Sequence, residues 1–321
     1  MIMHPAIALG VCCPGAGIYA PAQSARLHAD YAAARELLSR LAERVGDFLH
    51  QACVADSFEA INKISRNYPA IVASGLLAAR AAEQELGRPL PAVVFGGYSL
   101  GHFTALALSG ALDPVDAIAL VAVRARLMHE AAVRRPGEML LVSGVLAGEL
   151  ADLVEAGPRD AGPLVVACRN STDSTALSGT GRAIAWARDR LRDRNVRVKR
   201  LSAGVAAHSP LMADAQDHFS ACLQEVTFGA PHVPVLLNST GEACADPERI
   251  KTELMTQLTT PVRWDLCRET IECLGVDAVV DVGPGTMMAN FCTGIAPAIH
   301  LNAGEPLAVA LGARLREGVS P

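Results

Sequence analysis

The chain has 321 residues, of which 51% are hydrophobic and 19% are charged, and it includes 27 glycines and 19 prolines. This composition is typical of a globular protein with a substantial buried core, which excludes a disordered or a collagen-like chain. The formal net charge is −5 and the sequence has no long basic run, so the electrostatic signature of a nucleic-acid-binding protein is absent. We therefore expect no nucleic acid among the partners.

The cysteines and the first apolar segment bear on the cell compartment. The nine cysteines are scattered and lack the paired short spacings of a zinc site or a redox motif. We therefore expect reduced thiols in a cytoplasmic protein. The sequence also lacks an HExxH motif, an EF-hand, a His/Cys cluster and a complete dinucleotide-binding fingerprint, so we expect no metal and no cofactor. The apolar run 5–13 has no Lys or Arg before it and is shorter than a membrane span. It predicts a buried first strand and no membrane partner.

Hydrophobic spacing and turn residues predict the elements in chain order. They are a strand over 5–13, a turn over 14–17, a helix over 33–50, a helix starting at Pro69, a strand over 92–95, a helix to Leu108, and a helix from Pro114 to about Ala132. The missing N–H of a proline is harmless at the first helical position, so Pro69 and Pro114 indicate helix starts. Strands and helices mixed in this way indicate an α/β fold.

From residue 137 the elements become shorter and follow the order βαββαβ. The expected strands and helices are, in chain order, 139–145, 150–155, 164–168, 174–178, 183–192 and 196–201. Such a unit buries a small sheet under two helices. We therefore expect a small subdomain over 137–201, inserted between the two parts of a large subdomain, 1–136 and 202–321.

Ser99 lies in Gly97-Tyr98-Ser99-Leu100-Gly101, between a predicted strand and a predicted helix. In a G-x-S-x-G sequence the two glycines permit a tight strand-to-helix turn that exposes the serine hydroxyl beside a helix N-terminus. Ser99 is therefore a candidate nucleophile. An ordinary strand-to-helix turn is the alternative, because so short a pattern also arises by chance.

A serine nucleophile needs a base to remove its proton. His208 is the best-placed candidate because it lies among small residues, in Ala206-Ala207-His208-Ser209-Pro210. Most other histidines fall at polar or helical positions, where a solvated imidazole is expected. His102 follows Ser99 on the same predicted helix and is expected to be a pocket neighbour. Spacing alone leaves the choice of base open.

Arg124 has apolar residues one helical turn away on both sides, at positions 120, 121, 127 and 128. A guanidinium in such a stripe needs a partner, because burying an unpaired charge is costly. Two interpretations are open: an internal salt bridge, or a grip on a ligand carboxylate, for which the planar guanidinium is suited. Arg126 is expected to face away and to be solvated.

The motifs together resemble the malonyl-CoA:acyl-carrier-protein transacylases and the related acyltransferase domains of polyketide synthases, over nearly the full length. They are Pro14-Gly15-Ala16-Gly17, similar to PGQG; Gly97 to Gly101, similar to GHSLG; the arginine helix over 123–128; Gly137-Glu138-Met139; Asn170-Ser171 with Leu177-Ser178-Gly179; His208-Ser209-Pro210-Leu211-Met212; Gln257-Leu258 with Pro261-Val262-Arg263-Trp264; and Val282-Gly283-Pro284-Gly285. A series in the same order is far more specific than any single motif.

The resemblance implies an α/β-hydrolase-like large subdomain with a parallel sheet and a nucleophile elbow, plus a ferredoxin-like small subdomain. It also implies a ping-pong acyltransferase that moves a malonyl-type group from coenzyme A to the phosphopantetheine thiol of an acyl carrier protein. Ser99 would carry the acyl group and His208 would be the base. The implied partners are malonyl-CoA or a related acyl-CoA, and an acyl carrier protein.

Further roles follow only from the resemblance. The backbone carbonyl of Gln257 would orient the histidine, and the backbone N–H groups of Ala16 and Leu100 would form the oxyanion hole. Arg124 would hold the malonyl carboxylate, in place of an internal salt bridge. The pocket would be lined by Tyr98, His102, Asn170, Val205, Ala206 and Ala207.

Several positions depart from the family pattern. Ala16 replaces the usual glutamine, and His102 stands where a glutamate is common. Tyr98 replaces the usual histidine, a variant associated with the transacylase subunit of malonate decarboxylase. The segment 205–207 is smaller than the malonyl-typical pattern with phenylalanine. Two interpretations are open: a larger α-substituent fits, or a side chain from another wall of the pocket takes the place of the missing aromatic ring.

Two other functions remain open from the sequence. One is an editing hydrolase of the same fold that strips acyl groups from carrier proteins; Arg124 argues against it, because a monocarboxylic acyl chain offers no second carboxylate. The other is a catalytically silent subunit that docks carrier proteins, against which the intact Ser99 and His208 argue.

Overall fold

A computed structural model describes residues 7–17, 21–54, 64–192, 194, 196–201 and 204–301. The described residues form two compact units, one within 1–122, 229–236 and 270–321 and the other within 123–228 and 237–269. The predicted boundaries at 136 and 201 mark where the order of strands and helices changes. The two units instead consist of residues that lie close together in space. The subdomain boundaries therefore remain a prediction.

The elements in chain order are β1 (Leu9–Cys13), α1 (Pro21–Asp30), α2 (Ala32–Val45), α3 (Phe48–Val54), α4 (Ile64–Leu86), β2 (Ala92–Gly97), α5 (Gly101–Leu108), α6 (Pro114–Arg134), β3 (Glu138–Ser143), α7 (Ala147–Glu155), β4 (Leu164–Arg169), β5 (Ser174–Gly179), α8 (Gly181–Leu191), β6 (Arg197–Leu201), α9 (Ala213–Gln224), β7 (Val235–Leu236), β8 (Ala243–Cys244), α10 (Pro247–Leu254), β9 (Val262–Arg263), α11 (Trp264–Cys273), β10 (Ala278–Asp281), α12 (Met287–Phe291) and β11 (Ala298–His300). Short 3-10 turns cover Arg159–Ala161 and Pro210–Met212.

The first unit is built on parallel strands in the order β11-β10-β1-β2-β7. Every residue of β1 is buried, as expected for the middle strand of a parallel sheet covered on both faces. Because neighbouring strands run the same way, the segments that follow β1, β2 and β10 meet at one edge of the sheet. These segments contain the motifs 14–17, 98–101 and 282–285.

Two helix predictions are wrong in detail. The predicted helix over 33–50 is divided into α2 and α3 at Gly46, whose φ of 106° no helix accommodates. The helix expected to start at Pro69 begins at Ile64 and contains that proline. Helix α1 was not predicted at all. The strand predicted over 5–13 begins at Leu9, and residues 5 and 6 lie outside the described residues.

The second unit contains an antiparallel sheet in the order β6-β3-β5-β4, to which β9 adds as a parallel strand beside β4. Helices α7 and α8 share a buried apolar cluster with this sheet, formed by Leu140, Val142, Val145, Leu150, Leu177, Ile184, Ala187 and Leu191. The order β3-α7-β4-β5-α8-β6 confirms the predicted βαββαβ arrangement.

Within the described ranges, no helix is both long enough and apolar enough to cross a membrane.

Candidate active site

Ser99 occupies a strained turn between β2 and α5. Its φ is 50°, in the left-handed region that non-glycine residues rarely adopt. A Cβ on Gly97 would collide with the carbonyl of Gly101, and a Cβ on Gly101 would collide with the carbonyls of Cys13 and Pro14. Both glycines of the motif are therefore required by close backbone approach. The turn has the geometry of a nucleophile elbow, as predicted.

The turn over 14–17 lies against this elbow. The Tyr98 N–H donates to the Cys13 carbonyl at 3.0 Å, and a Cβ on Gly15 would lie 2.7 Å from the Tyr98 carbonyl oxygen. Ala16 is exposed in this turn, whereas Leu100 is fully buried and immediately precedes α5. These are the two residues whose N–H groups the resemblance assigns to an oxyanion hole.

Asp281 supports the same edge and was missed as a site residue. Its carboxylate is buried and accepts hydrogen bonds from the N–H groups of Gly283, Met288 and Ala289, at 3.0, 2.9 and 3.1 Å. Burial raises the pKa of this carboxyl, and the three N–H donors oppose that effect. The one sequence signal was an acidic residue ending an apolar strand.

His208 is 3% exposed and has a φ of 58°. Its Nδ1 lies 2.9 Å from the Gln257 carbonyl oxygen and 3.0 Å from that of Thr260. A carbonyl only accepts hydrogen bonds, so Nδ1 carries the proton and Nε2 carries the basic lone pair of the neutral ring. The arrangement is that of a histidine held ready to act as a base. Nothing in the sequence indicated that the Thr260 carbonyl would also accept a hydrogen bond from His208.

The turn that carries His208 is fixed by Ser209. The Ser209 hydroxyl, which is fully buried, donates to the Ala206 carbonyl at 2.7 Å and accepts the Leu211 N–H at 3.3 Å. Together these two hydrogen bonds constrain the backbone on both sides of His208. Such constraints are what holds a non-glycine residue at positive φ, at a cost on the order of 1–3 kcal/mol.

Burial and charge lower the pKa of His208 to about 4. Burial is the largest cause, the positive charge of Arg124 is the second, and the two carbonyl hydrogen bonds oppose both. The imidazole is consequently neutral at physiological pH, which is the state a general base requires.

Arg124 lies on α6 and is 1% exposed, among the buried residues Leu120, Val121, Leu127 and Met128. The predicted position on an apolar stripe is therefore confirmed. Arg126 forms an exposed ion pair with Glu130 at 2.9 Å, as expected for a solvated position.

The remaining predicted pocket residues divide between the two units. Tyr98 and His102 belong to the first unit, where Tyr98 packs against Phe291 and His102 is fully buried on α5. Asn170 and the segment 205–207 belong to the second and are buried. The Asn170 amide donates to the Ser174 hydroxyl at 3.3 Å.

In the part of the chain that the structure describes, no group of three or more His, Cys, Asp or Glu side chains is placed to hold a metal ion.

The sequence matches the model of the acyl transferase domain family over residues 12–295. The chain belongs to this family. The match spans all of the candidate residues, from Ala16 to Gln257. It confirms the family resemblance inferred from the motifs.

Relatives of this acyltransferase carry a more specific name. The malonyl CoA-acyl carrier protein transacylase of Salmonella typhimurium is 28% identical over 299 residues, which cover 92% of this chain and 96% of the relative. The protein of that name from Mycobacterium bovis is 33% identical over 243 residues, which cover 72% of this chain and 75% of the relative.

Solved structures agree with this relationship. The acyl carrier protein S-malonyltransferase of Vibrio cholerae superposes with a TM-score of 0.85 at 28% identity, covering 94% of this chain and 99% of that one. A malonyl-transacylase in complex with its type II polyketide synthase acyl-carrier protein gives a TM-score of 0.88 at 26% identity, covering 95% of this chain and 99% of that one. The predicted α/β fold with two subdomains is thereby confirmed.

Proposed function

We propose that this acyltransferase moves a malonyl-type acyl group from coenzyme A to the phosphopantetheine thiol of an acyl carrier protein, through an acyl-enzyme at Ser99. The proposal rests on the backbone conformation of Ser99 and His208. Among the described residues, Ser99 and His208 are the only non-glycine residues with positive φ. Strain of this kind persists where a function requires it, and the motifs select the same two residues.

In the first half-reaction, Nε2 of His208 takes the proton of the Ser99 hydroxyl as the oxygen attacks the thioester carbonyl. The N–H groups of Ala16 and Leu100 stabilise the negative oxygen of the tetrahedral intermediate. The intermediate collapses, the C–S bond breaks, and His208 returns the proton to the coenzyme A thiolate. In the second half-reaction the carrier-protein thiol gives its proton to His208 as its sulfur attacks the ester carbonyl and forms a C–S bond. The C–O bond to Ser99 then breaks, and His208 returns the proton to the Ser99 oxygen, which restores the neutral base and the serine hydroxyl.

Arg124 selects the substrate in this proposal. Its guanidinium binds the free carboxylate of the malonyl group in two places, and a buried pair of this kind is strong and directional. In this proposal the small side chains of 205–207 accommodate an α-substituent on the malonyl group. Gln257 orients the base through its carbonyl, and Tyr98, His102 and Asn170 line the pocket. We also propose a cytoplasmic location, which the odd number and scattered positions of the nine cysteines support.

Intact-protein mass spectrometry tests the proposal. The protein is incubated briefly with malonyl-, methylmalonyl- or acetyl-CoA, and a phosphopantetheinylated carrier protein is then added. We expect a malonyl adduct that moves to the carrier. An adduct lost to water at the same rate with and without carrier would indicate a hydrolase, and no adduct from any donor would favour a silent docking subunit.

Two variants complete the experiment. Ser99→Ala is expected to abolish the adduct, and an adduct that persists would refute the assignment of the nucleophile. Arg124→Ala is expected to reduce malonyl transfer and to favour acetyl transfer in relative terms, because the carboxylate loses its partner while the acyl-transfer residues remain. An unchanged preference would return Arg124 to a structural role.

A further inference from the structure

The two carbonyls that hold His208 come from the segment that follows α10. The last carbonyls of a helix have no partner within the helix and need donors from elsewhere. Two side chains of α9 supply them: Gln216 donates from Nε2 to the Leu254 carbonyl at 3.2 Å, and Ser220 donates from its hydroxyl to the Met255 carbonyl at 3.1 Å. The two residues are four positions apart and therefore share one face of α9.

Gln216 also binds the other side of this turn. Its Oε1 accepts the N–H of Leu258 at 2.7 Å, and its Nε2 donates a second bond to the Ser220 hydroxyl at 3.1 Å. The side chain is 6% exposed, and both polar atoms have partners. Gln216 is thus hydrogen-bonded to Leu254, which precedes Gln257 in the chain, and to Leu258, which follows it.

The Leu258 N–H and the Gln257 carbonyl belong to the same peptide group. The group is planar and trans, so its N–H and C=O point in opposite directions. One end of this peptide is held by Gln216 at 2.7 Å, and the other end accepts the Nδ1 proton of His208 at 2.9 Å. Fixing the N–H therefore fixes the direction of the carbonyl. Hydrogen bonds in such a chain also polarise one another, which strengthens the carbonyl as an acceptor.

We infer that Gln216 is a positioning residue for the acyl transfer, acting through the 257–258 peptide to keep the proton of His208 on Nδ1 and the base lone pair on Nε2. The inference rests on the proposed role of His208 as the base. Gln216 itself touches neither substrate nor the reacting atoms. A purely structural role, in which Gln216 only caps the end of α10, is the competing explanation.

Gln216→Met tests the inference, because methionine has a similar length and shape but neither donor nor acceptor. We expect the rate of acyl-enzyme formation at saturating malonyl-CoA to fall about tenfold, short of the roughly 10²–10⁴-fold that a general base contributes. The half-saturating malonyl-CoA concentration should stay unchanged. Gln216→Glu keeps an acceptor for the Leu258 N–H and should recover most of the rate.

A spectroscopic measurement separates positioning from stability. In protein labelled with ¹⁵N-histidine, with His208 assigned from the missing signal in His208→Gln, the wild type should show the Nδ1–H tautomer alone. Gln216→Met should shift the Nδ1–H signal, because the Gln257 carbonyl is no longer held in place and the Thr260 carbonyl becomes the main acceptor of that proton. The inference is overturned if Gln216→Met leaves both the Nδ1–H signal and the acylation rate as in the wild type.

Controls keep the outcome unambiguous. Asp246 caps the opposite end of α10 by accepting the Glu248 N–H at 2.9 Å, so Asp246→Ala destabilises the same helix without touching the 257–258 peptide. It should lower the melting temperature and leave acylation and the Nδ1–H signal unchanged. If Gln216→Met fails to fold, Gln216→Asn, one methylene too short to reach Leu258, should show the same slowing.

His208→Gln distinguishes a failure of the proposed function from a failure of the positioning role of Gln216. If His208→Gln still forms the acyl-enzyme at the wild-type rate, the assignment of the base is wrong. If His208→Gln is inactive while Gln216→Met and Gln216→Asn behave as wild type, only the positioning role fails.

Discussion

At the scale of the residue, one imidazole carries three environmental effects at once. Burial and the Arg124 charge disfavour protonation of His208, whereas the Gln257 and Thr260 carbonyls favour it. The first two dominate, which places the pKa at about 4 instead of the usual 6.5. The histidine therefore needs no aspartate partner to stay in its basic form at neutral pH.

The pH dependence of acylation follows from this balance. With acetyl-CoA as donor, which has no carboxylate for Arg124 to bind, the acid limb of acyl-enzyme formation should have its midpoint near pH 4. Removing the positive charge in Arg124→Ala should move that midpoint upward, toward 6.5. Stopped-flow or quench measurements across this range check it, and Arg124→Lys, which keeps a charge, serves as the control. A midpoint that does not move would show that Arg124 does not act on His208.

The same shift links pH to stability. The folded state favours neutral His208, so its contribution to stability is complete above the unfolded pKa of 6.5 and is lost as the pH falls toward 4. A shift of this size corresponds to about 3 kcal/mol. Denaturant unfolding of the wild type and of His208→Gln between these pH values should show a smaller loss in the variant. Parallel curves would mean that another group causes the acid sensitivity.

At the scale of the element, the elbow shows how close backbone approach selects residues. Gly101 begins α5 where the carbonyls of Cys13 and Pro14 leave no space for a Cβ. Gly148, in the first turn of α7, is exposed, and a Cβ added there would have no heavy atom within 4 Å. A side chain at Gly101 would therefore meet rigid backbone, whereas a side chain at Gly148 would meet open space.

This contrast gives a matched pair of variants. Gly101→Ala should destabilise the protein by about 2 kcal/mol or more, because rigid backbone cannot move aside as a side chain can, and it should slow acylation of Ser99. Gly148→Ala should stabilise it by up to about 1 kcal/mol, since alanine loses less entropy in a helix. Thermal melts and the acylation rate measure both. Equal, small effects would show that the elbow backbone is more adaptable than its geometry indicates.

The helices show where local rules predict well and where they do not. Pro114 predicted the start of α6, and the preceding Asp113 carboxylate caps that start by accepting the Val115 N–H at 2.7 Å. The predicted helix over 33–50 is interrupted at Gly46, because apolar spacing continues through a residue that the backbone needs for a turn. Periodicity detects which face is buried, and it does not detect that the chain changes direction.

At the scale of the whole molecule, close packing determines which thiols react. Cys273 is exposed and Cys222 is partly exposed, whereas the other seven cysteines are buried. Burial and a neighbouring carboxylate raise the pKa of the Cys13 thiol, which lowers its reactivity further. The Sγ atoms of Cys12 and Cys292 lie 3.9 Å apart and share a thiol hydrogen bond, in which either sulfur can be the donor, and they form no disulfide.

Thiol titration checks this description. In the native protein Cys273 should react rapidly and Cys222 more slowly, and all nine thiols should react after unfolding without a reductant. Cys273→Ser should remove the fast phase alone. A count of seven after unfolding would indicate a disulfide, for which Cys12 and Cys292, with Sγ atoms 3.9 Å apart, are the candidates.

Features that depend on near neighbours in the chain could be predicted from the sequence: the strand, turn and helix around Ser99, the βαββαβ order, the apolar stripe around Arg124 and the family. The way in which the base is held became visible in the folded chain alone. His208 is bound by Gln257 and Thr260, which lie 49 and 52 residues away, and Gln216 reaches the same peptide from another helix. Hydrogen bonds between distant segments follow from folding the chain back on itself, and no local spacing or propensity records them.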